Sequence, residues 1–180
     1  PYFKQGIELG RSFVQPKYWG RKSLDYLWYG IGAFINRYPQ YRYLFGAVSV
    51  SNALPEQAKS LLVHYYQHYY GSEKSLATPN NAFRHTREQQ IQCTNLFMGN
   101  NIKEDFVELK HILANMGTHV PTLFKQYTEL CEPNGVTFLS FSIDPQFNNC
   151  IDGLVLVDLE KVKPSKAKRY LGAQDTASIN

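Results

Sequence analysis

Residues 8–23 read ELGRSFVQPKYWGRKS, and this stretch decides how the chain is interpreted. Apolar and polar residues mix from Gly6 to Val14 as they do in a strand, and Gln15-Pro16 ends that run. From Ser23 to Asn36, apolar residues recur at steps of three and four, which predicts a helix with one buried face and Ser23 as its N-cap. A basic turn between a strand and a helix N-terminus can bind an anion through free backbone N–H groups and the helix dipole. The alternative is that the segment is an ordinary strand, turn and helix with no ligand.

A second strand and helix follow directly. Residues 43–50, YLFGAVSV, predict a mostly buried strand in a sheet that helices cover on both faces, and Gly46 marks a close approach. Pro55 suits the first turn of a second helix, and Gly71 ends that helix. The order strand, helix, strand, helix indicates an α/β fold.

The remainder of the chain predicts a polar insertion followed by more regular structure. Residues 72–100 are polar and predict a long excursion with little core of its own. Asn101 and Glu104 have capping-box spacing ahead of a helix that Gly117 ends. Further on we expect a helix from Pro121 to Leu130 or Cys131, strands at 136–143 and 154–159, and a final stretch from Lys163 that frays at its end. We therefore expect one domain over residues 1–180, forming part of a longer protein.

Composition excludes several classes of protein. With 43% hydrophobic and 19% charged residues, the chain is too apolar to be disordered, and 180 residues are enough for a core. A net charge of +4 favours an acidic partner or an anionic membrane surface, whereas the lack of a dense Lys/Arg run argues against nucleic acid. No apolar stretch is long enough to span a bilayer and no signal peptide is recognisable, so we expect a cytoplasmic protein or one peripheral to the inner membrane.

Cysteine and histidine usage predicts no metal and no disulfide framework. Three cysteines without C-x-x-C spacing indicate a reducing compartment. The five histidines are scattered along the sequence, so we expect no metal site.

The motif around residue 16 resembles a known acyltransferase pattern. Val14, Pro16, Tyr18, Gly20 and Arg21 match the V-x-P-x-Y-R-G-x-G-I-G motif of the GNAT superfamily, in which a strand precedes a helix that binds pantetheine phosphate. Departures from the motif at Trp19, Lys22 and Leu24 fit a carrier-protein phosphopantetheine, which brings one phosphate, better than a coenzyme A pyrophosphate. The resemblance implies a GNAT-like mixed sheet flanked by helices and lacking the early strands. It also implies a set of donor-binding residues: Phe13, Val14, Trp19, Gly20, Arg21, Lys22, Ser23 and Ser49.

A narrower resemblance concerns the E-x-G-R of Glu8 to Arg11. This stretch is similar to the corresponding strand of ornithine-lipid N-acyltransferases, of bacterial proteins labelled hemolysin and, more distantly, of acyl-homoserine-lactone synthases. The resemblance implies transfer of a long acyl group from acyl carrier protein, or acyl-CoA, to the amine of ornithine or another amino acid, with no permanently bound cofactor. The H-x-x-x-x-D motif of glycerolipid O-acyltransferases is absent, which excludes that ester-forming chemistry from this chain.

The resemblance also suggests roles for individual residues. Glu8 is the candidate base or amine-binding group, and Arg11 either orients Glu8 or binds an acceptor carboxylate; a structural salt bridge between them is the alternative. Five polar residues are candidates for acceptor binding, although helix capping and turn formation also explain them: Ser51, Asn52, Asp144, Asn148 and Asn149.

Two other functions remain open at this point. A lactone-synthase-like enzyme would acylate S-adenosylmethionine, and lipid amides produced by the purified enzyme would exclude it. A non-catalytic module that binds membranes or proteins is the second alternative. Folded Glu8→Ala and Arg11→Ala variants that keep full acyl-transfer activity would favour this module.

Overall fold

A computed structural model describes residues 2–11, 13–18, 21–74, 76–97 and 101–172. The helices are α1 (Ser23–Arg37), α2 (Glu56–Tyr70), α3 (Arg87–Leu96), α4 (Ile102–Asn115), α5 (Thr122–Leu130) and α6 (Pro164–Tyr170). The strands are β1 (Gly6–Glu8), β2 (Tyr43–Val50), β3 (Val136–Asp144) and β4 (Cys150–Asp158).

The four strands form one mixed sheet in the order β1-β2-β4-β3. Parallel pairing joins β1 to β2, and antiparallel pairing joins β2 to β4 and β4 to β3. The predicted α/β architecture, a mixed sheet flanked by helices, is confirmed. It resembles a GNAT-like sheet with few strands.

Among the described residues, the helices that pack against the sheet lie on the face of Leu44, Val48 and Phe138, so for this part of the chain the prediction that helices cover both faces is wrong. In β2, buried residues alternate with less buried ones, and Leu44, Val48 and Val50 face the helices. The aromatic ring of Phe138 on β3 contacts Tyr66 of α2 and Phe124 of α5 on this same face. The opposite face carries half-buried and exposed side chains of β2 and β4: Tyr43, Phe45, Ala47, Ser49, Asp152, Leu154 and Leu156.

The first strand is shorter than predicted. β1 ends at Glu8 rather than at Val14, and Arg11 adopts a left-handed backbone conformation with φ of 55°. A left-handed residue turns the chain away from the sheet, which physically explains the early end. Ser23 is the first residue of α1 rather than its N-cap, and its hydroxyl donates to the carbonyl of Tyr18 at 3.0 Å.

The polar segment at 72–100 contributes more to the core than predicted. It contains α3, which a capping box between Thr86 and Gln89 begins. Cys93 and Phe97 are buried, at 1% and 3% exposure. The sequence conceals this contribution because these two buried side chains stand among polar residues.

In the C-terminal part, the predicted start of β4 is wrong, whereas the signals at the two ends of α4 are confirmed. The Asn101 side chain caps α4, and Gly117 follows α4 with φ of 71°, as predicted. β4 begins at Cys150 rather than at residue 154. The stretch from Lys163 begins with α6, and its end at residues 173–180, where the sequence predicts fraying, lies outside the described part of the chain.

Candidate functional site: a fork between two parallel strands

The parallel strands β1 and β2 part after a short paired stretch. Gly6, Ile7 and Glu8 pair with Tyr43, Leu44 and Phe45, and the N–H of Leu9 then donates to the Phe45 carbonyl at 2.7 Å. Beyond this point β2 continues to Val50, and in the described residues its strand pairing there is with β4. We call this divergence the β1–β2 fork, formed by Leu9–Arg11 on one side and Gly46–Val50 on the other.

Gly46 lies where the two strands make their last contact. A Cβ atom at this position would lie 2.4 Å from the carbonyl oxygen of Leu9, which is closer than atoms can approach. The close approach expected at Gly46 is therefore present, and the backbone of β1 occupies the space of the missing side chain.

The start of α1 has the properties of an anion site. Its first turn receives no side-chain cap in the described structure, so its leading N–H groups have no such partner. Arg21 and Lys22 immediately precede the helix and are exposed. The acidic residue of the first turn, Asp25, is engaged elsewhere, because it accepts from Arg169 at 2.7 Å and from the Tyr170 hydroxyl at 3.0 Å. The charge at this helix end is therefore positive.

Of the other predicted donor-binding residues, Trp19 and Gly20 lie outside the described residues. Phe13 is 80% exposed, which is unusual for an aromatic side chain, and Val14 is half-buried. Both residues lie in the segment between the fork and the start of α1, where the sequence motif predicts binding of the pantetheine arm of the donor.

Glu8 and Arg11 lie at the base of the fork. Glu8 pairs in register with Phe45, so its side chain is on the sheet face that the helices leave open. Among the described residues no ion pair joins Glu8 to Arg11, so the alternative of a structural salt bridge gains no support. Arg11 is exposed and holds a backbone conformation that is uncommon outside glycine, and such strain often occurs at functional sites.

Ser49 lies on the same open face, further along β2. Its hydroxyl donates to Asp152 Oδ1 of β4 at 2.6 Å. Ser49 lies four positions after Phe45, which pairs with Glu8, so this polar pair is about 13 Å along the strand from Glu8. Both ends of the open face therefore carry a carboxylate, and apolar side chains lie between them.

Ser51 and Asn52 interact with their own helix region. The Ser51 hydroxyl accepts from the N–H of Ala53 at 3.2 Å, which is turn chemistry. The side-chain oxygen of Asn52 accepts from Lys59 Nζ at 2.6 Å, and Glu56 Oε1 accepts from the same ammonium at 2.5 Å. Lys59 is only 4% exposed. Sequence reasoning missed this buried lysine because it follows Ala58 on an apolar helix face, where a charged residue is not expected.

The three loop residues that were candidates for acceptor binding shape the β3–β4 turn. Asp144 accepts from the N–H groups of Gln146 at 2.8 Å and Phe147 at 3.2 Å, and Asn148 and Asn149 are both left-handed. Because Val50 pairs with Ile151 of β4, this turn lies at the end of the sheet where β2 ends. The turn is close in register to Ser49 and Asp152, but the Asp144 side chain bonds within the turn itself.

The tyrosines of α2 face away from the fork. Tyr65 donates to the Ile102 carbonyl at 3.0 Å, Tyr69 donates to Asp105, and Tyr66 contacts Phe138 of β3. A cavity of about 700 Å³ lies beside them, between α2, α4, α5 and the start of β3. β3 and β1 are opposite edges of the sheet, so this cavity is separate from the fork.

Two curated proteins are similar to nearly the whole chain. The glycine N(alpha)-acyltransferase of Bacteroides thetaiotaomicron is 24% identical over 178 residues, covering 94% of this chain and 52% of that protein. A protein of the same name from Phocaeicola vulgatus is 24% identical over 177 residues, covering 94% of this chain and 53% of that protein. Both of these weak homologues are named as N-acyltransferases.

The similarity covers only part of these relatives. The chain spans about half the length of the curated relatives it matches, and their names mention neither ornithine lipids nor hemolysins. No protein-family model and no solved structure matches the chain. Within the described residues, no helix has the length and apolar character needed to cross a bilayer.

Proposed function

We propose that this chain is the donor-binding part of an N-acyltransferase that moves a long acyl group onto the amine of a small amino acid such as glycine. The observation that carries the proposal is the β1–β2 fork, which is followed along the chain by a basic helix start that receives no side-chain cap in the described residues. The donor is an acyl thioester on the phosphopantetheine of acyl carrier protein, or acyl-CoA.

Donor binding starts at the helix. The phosphate of the pantetheine arm receives hydrogen bonds from the free N–H groups of α1 and from Arg21 and Lys22. The arm then extends into the fork along β2, which presents an extended backbone from Gly46 to Val50. Half-buried apolar side chains of the open face, such as Phe45 and Leu154, offer a surface for the acyl chain.

Glu8 and Arg11 act on the acceptor. Glu8 removes a proton from the ammonium group of the acceptor, and the neutral amine attacks the thioester carbonyl to form a tetrahedral oxyanion with a protonated nitrogen. The C–S bond then breaks, the nitrogen loses its extra proton to the departing thiolate, and an amide and a free thiol result. Arg11 pairs with the acceptor carboxylate and orients the amine, because its planar guanidinium matches a carboxylate with two hydrogen bonds.

Glycine is the preferred acceptor in this proposal because both relatives carry that amino acid in their names. Ornithine shares the α-amine and α-carboxylate but adds a second cation. The two acceptors are therefore compared directly in the test.

The test is an acyl-transfer assay on the full-length protein, with long-chain acyl carrier protein or acyl-CoA as donor and glycine or ornithine as acceptor. Mass spectrometry measures the N-acyl product. We expect Glu8→Gln to lower kcat by about 100- to 10,000-fold, the usual contribution of a general base. Replacing Arg21 and Lys22 together with Ala should raise KM for the donor about tenfold with a smaller effect on kcat.

Lys110→Ala is the matched control, because Lys110 is exposed on α4, away from the fork. Unchanged kinetics in this variant would show that loss of a surface charge alone has no effect. Full acyl transfer by a folded Glu8→Gln protein would refute the catalytic assignment. Absence of any lipid amide from the wild-type protein with all donors and acceptors would favour the non-catalytic module.

A further inference from the structure

Three potential metal ligands that are distant in the sequence meet between α2 and α3. His64 lies on α2, His85 lies just before α3, and Cys93 lies within α3. One ligand atom from each of the three side chains lies within 4.8 Å of the other two. We propose that His64, His85 and Cys93 bind one Zn²⁺ ion that ties the segment at 82–96 to α2.

The separations between the three ligand atoms are only slightly larger than in a metal-bound site. Zn–N bonds of about 2.0 Å and Zn–S bonds of about 2.3 Å at tetrahedral angles separate the ligand atoms by about 3.3 to 3.5 Å. The ligand atoms, which lie within 4.8 Å of one another, would therefore move together by at most about 1.5 Å on binding.

Ser60 orients two of the three ligands. Its backbone carbonyl lies 3.0 Å from His85 Nε2, and because a carbonyl oxygen only accepts, this ring nitrogen carries the proton. His85 Nδ1 therefore keeps the lone pair that a metal requires. The Ser60 hydroxyl lies 3.8 Å from Cys93 Sγ. Metal-binding histidines commonly donate their second ring N–H to such a carbonyl, which fixes the ring for coordination.

Each ligand comes from a segment that is fixed independently. Ala82 forms a bridge with Ser142 of β3, and the N–H of Phe83 donates to the Phe141 carbonyl at 3.0 Å, which holds the chain leading to His85. The capping box of Thr86 fixes the start of α3 and thereby the position of Cys93. The site is thus organised before a metal arrives.

Aromatic rings surround the cluster on two sides. Phe97 stacks on His64 with ring centroids 6.0 Å apart, and Phe83 meets His85 edge-on at 5.1 Å. The donor set of two imidazoles and one thiolate is the type that Zn²⁺ accepts, and a water molecule completes the tetrahedron. On binding, the Cys93 thiol proton leaves to solvent and a Zn–S bond replaces the S–H bond.

The test measures metal binding and is independent of acyl transfer. The purified protein is stripped with a chelator and titrated with Zn²⁺ and, separately, with Co²⁺, whose thiolate charge-transfer absorption reports a Co–S bond. We expect one metal ion per chain by elemental analysis and a rise in Tm of about 5 to 10 °C at Zn²⁺ concentrations near 100 times Kd. The Co²⁺ spectrum should show the sulfur band.

Cys93→Ser should abolish the sulfur band, whereas Cys150→Ser, which changes another buried cysteine, should retain it. His85→Gln should weaken metal binding at least tenfold, and His111→Gln on α4 should not. His85→Gln keeps the test decisive if Cys93→Ser fails to fold. A folded wild-type protein that binds no metal, or a sulfur band that persists in Cys93→Ser, would overturn the proposal.

Discussion

Gly46 is the residue at which the β1–β2 fork is most sensitive to change. The Leu9 carbonyl fills the position of its missing side chain, and the neighbouring Phe45 carbonyl accepts the last β1–β2 hydrogen bond. A methyl group at this position would push β1 away from β2. The fork would then open one residue earlier, and the position of Glu8 would change with it.

We therefore expect Gly46→Ala to lower the free energy of unfolding by about 1 to 3 kcal/mol, the usual effect of overpacking, and to raise KM for the donor. Urea denaturation and donor titration measure the two effects. The control is Gly30→Ala on α1, where an added Cβ meets nothing within 4 Å. That change should stabilise the protein by about 1 kcal/mol, because alanine favours a helix more than glycine does. Equal stability of the two variants would contradict this account.

Asn52 illustrates a residue whose role depends on a partner that the sequence does not reveal. It was a candidate for acceptor binding, yet its side chain accepts from the buried ammonium of Lys59. Removing a hydrogen bond from a buried ammonium lowers the free energy of unfolding. If the role of Asn52 is structural, its replacement should therefore change stability and leave the affinity for the acceptor unchanged.

We expect Asn52→Ala to reduce the free energy of unfolding by about 2 kcal/mol while KM for the acceptor stays unchanged. Denaturant titration together with steady-state kinetics separates these quantities. Asn115→Ala, at the exposed end of α4, should alter neither. An increase in KM for the acceptor without loss of stability would instead support a role for Asn52 in acceptor binding.

At the scale of elements, α3 shows how a polar sequence can still cover the core. Its capping box gives it a defined start, and Cys93 and Phe97 direct it onto α2. Thr86→Ala removes the N-cap and should cost about 1 kcal/mol of stability, whereas Thr94→Ala inside the helix should cost little. Thermal unfolding followed by circular dichroism measures both. Equal losses in the two variants would argue against the cap as the cause.

The end of the β2–β4 ladder is held by an ion pair between Arg42 and Asp158. Burial alone would raise the pKa of the Asp158 carboxyl, but hydrogen bonds from the Arg42 side chain and the Glu160 backbone outweigh it and hold the pKa below its ordinary value of 3.8. A lowered pKa means that the folded state binds the proton more weakly than the unfolded chain does. The contribution to stability is therefore present above pH 3.8 and is lost as pH falls through the folded pKa.

We expect Asp158→Asn to be less stable than the wild type at about pH 7 and to approach it as the pH falls through the lowered pKa of Asp158. The urea midpoint across this pH range is the measurement. Glu129→Gln breaks a half-exposed contact of 3.7 Å with Lys125 and should have almost no effect at any pH. A difference between Asp158→Asn and the wild type that does not vary with pH would refute the explanation.

Helices and their ends could be predicted from the sequence more accurately than the covered face of the sheet or the residues that form a site. The periodicity of α1 and α2 and the end signals at Asn101 and Gly117 are local, so they can be recognised without the fold. That β2 alternates between a covered and an open face depends on which strands and helices surround it. The meeting of His64, His85 and Cys93 depends on the path of the chain between α2 and α3, and no spacing in the sequence indicates it.

At the scale of the whole molecule, net charge bears on the choice of donor. The chain carries a formal charge of +4, and acyl carrier protein is an acidic partner in the proposed reaction. Attraction between opposite charges speeds encounter and is screened by salt. We expect kcat/KM with acyl carrier protein as donor to fall more steeply than kcat/KM with acyl-CoA when NaCl rises from about 50 to 500 mM. Steady-state kinetics with both donors is the measurement, and parallel salt dependence would count against a carrier-protein surface on this chain.

The strand order β1-β2-β4-β3 also has a consequence for protein synthesis. β2 precedes its antiparallel partner β4 by about a hundred residues, since Val50 pairs with Ile151. At a translation rate of about 5 to 20 residues per second, β2 leaves the ribosome roughly 5 to 20 seconds before β4 exists. During that interval the apolar edge of β2 is open to mispairing, so yield in the cell should depend on chaperones that bind nascent chains and on codon speed between α2 and β3.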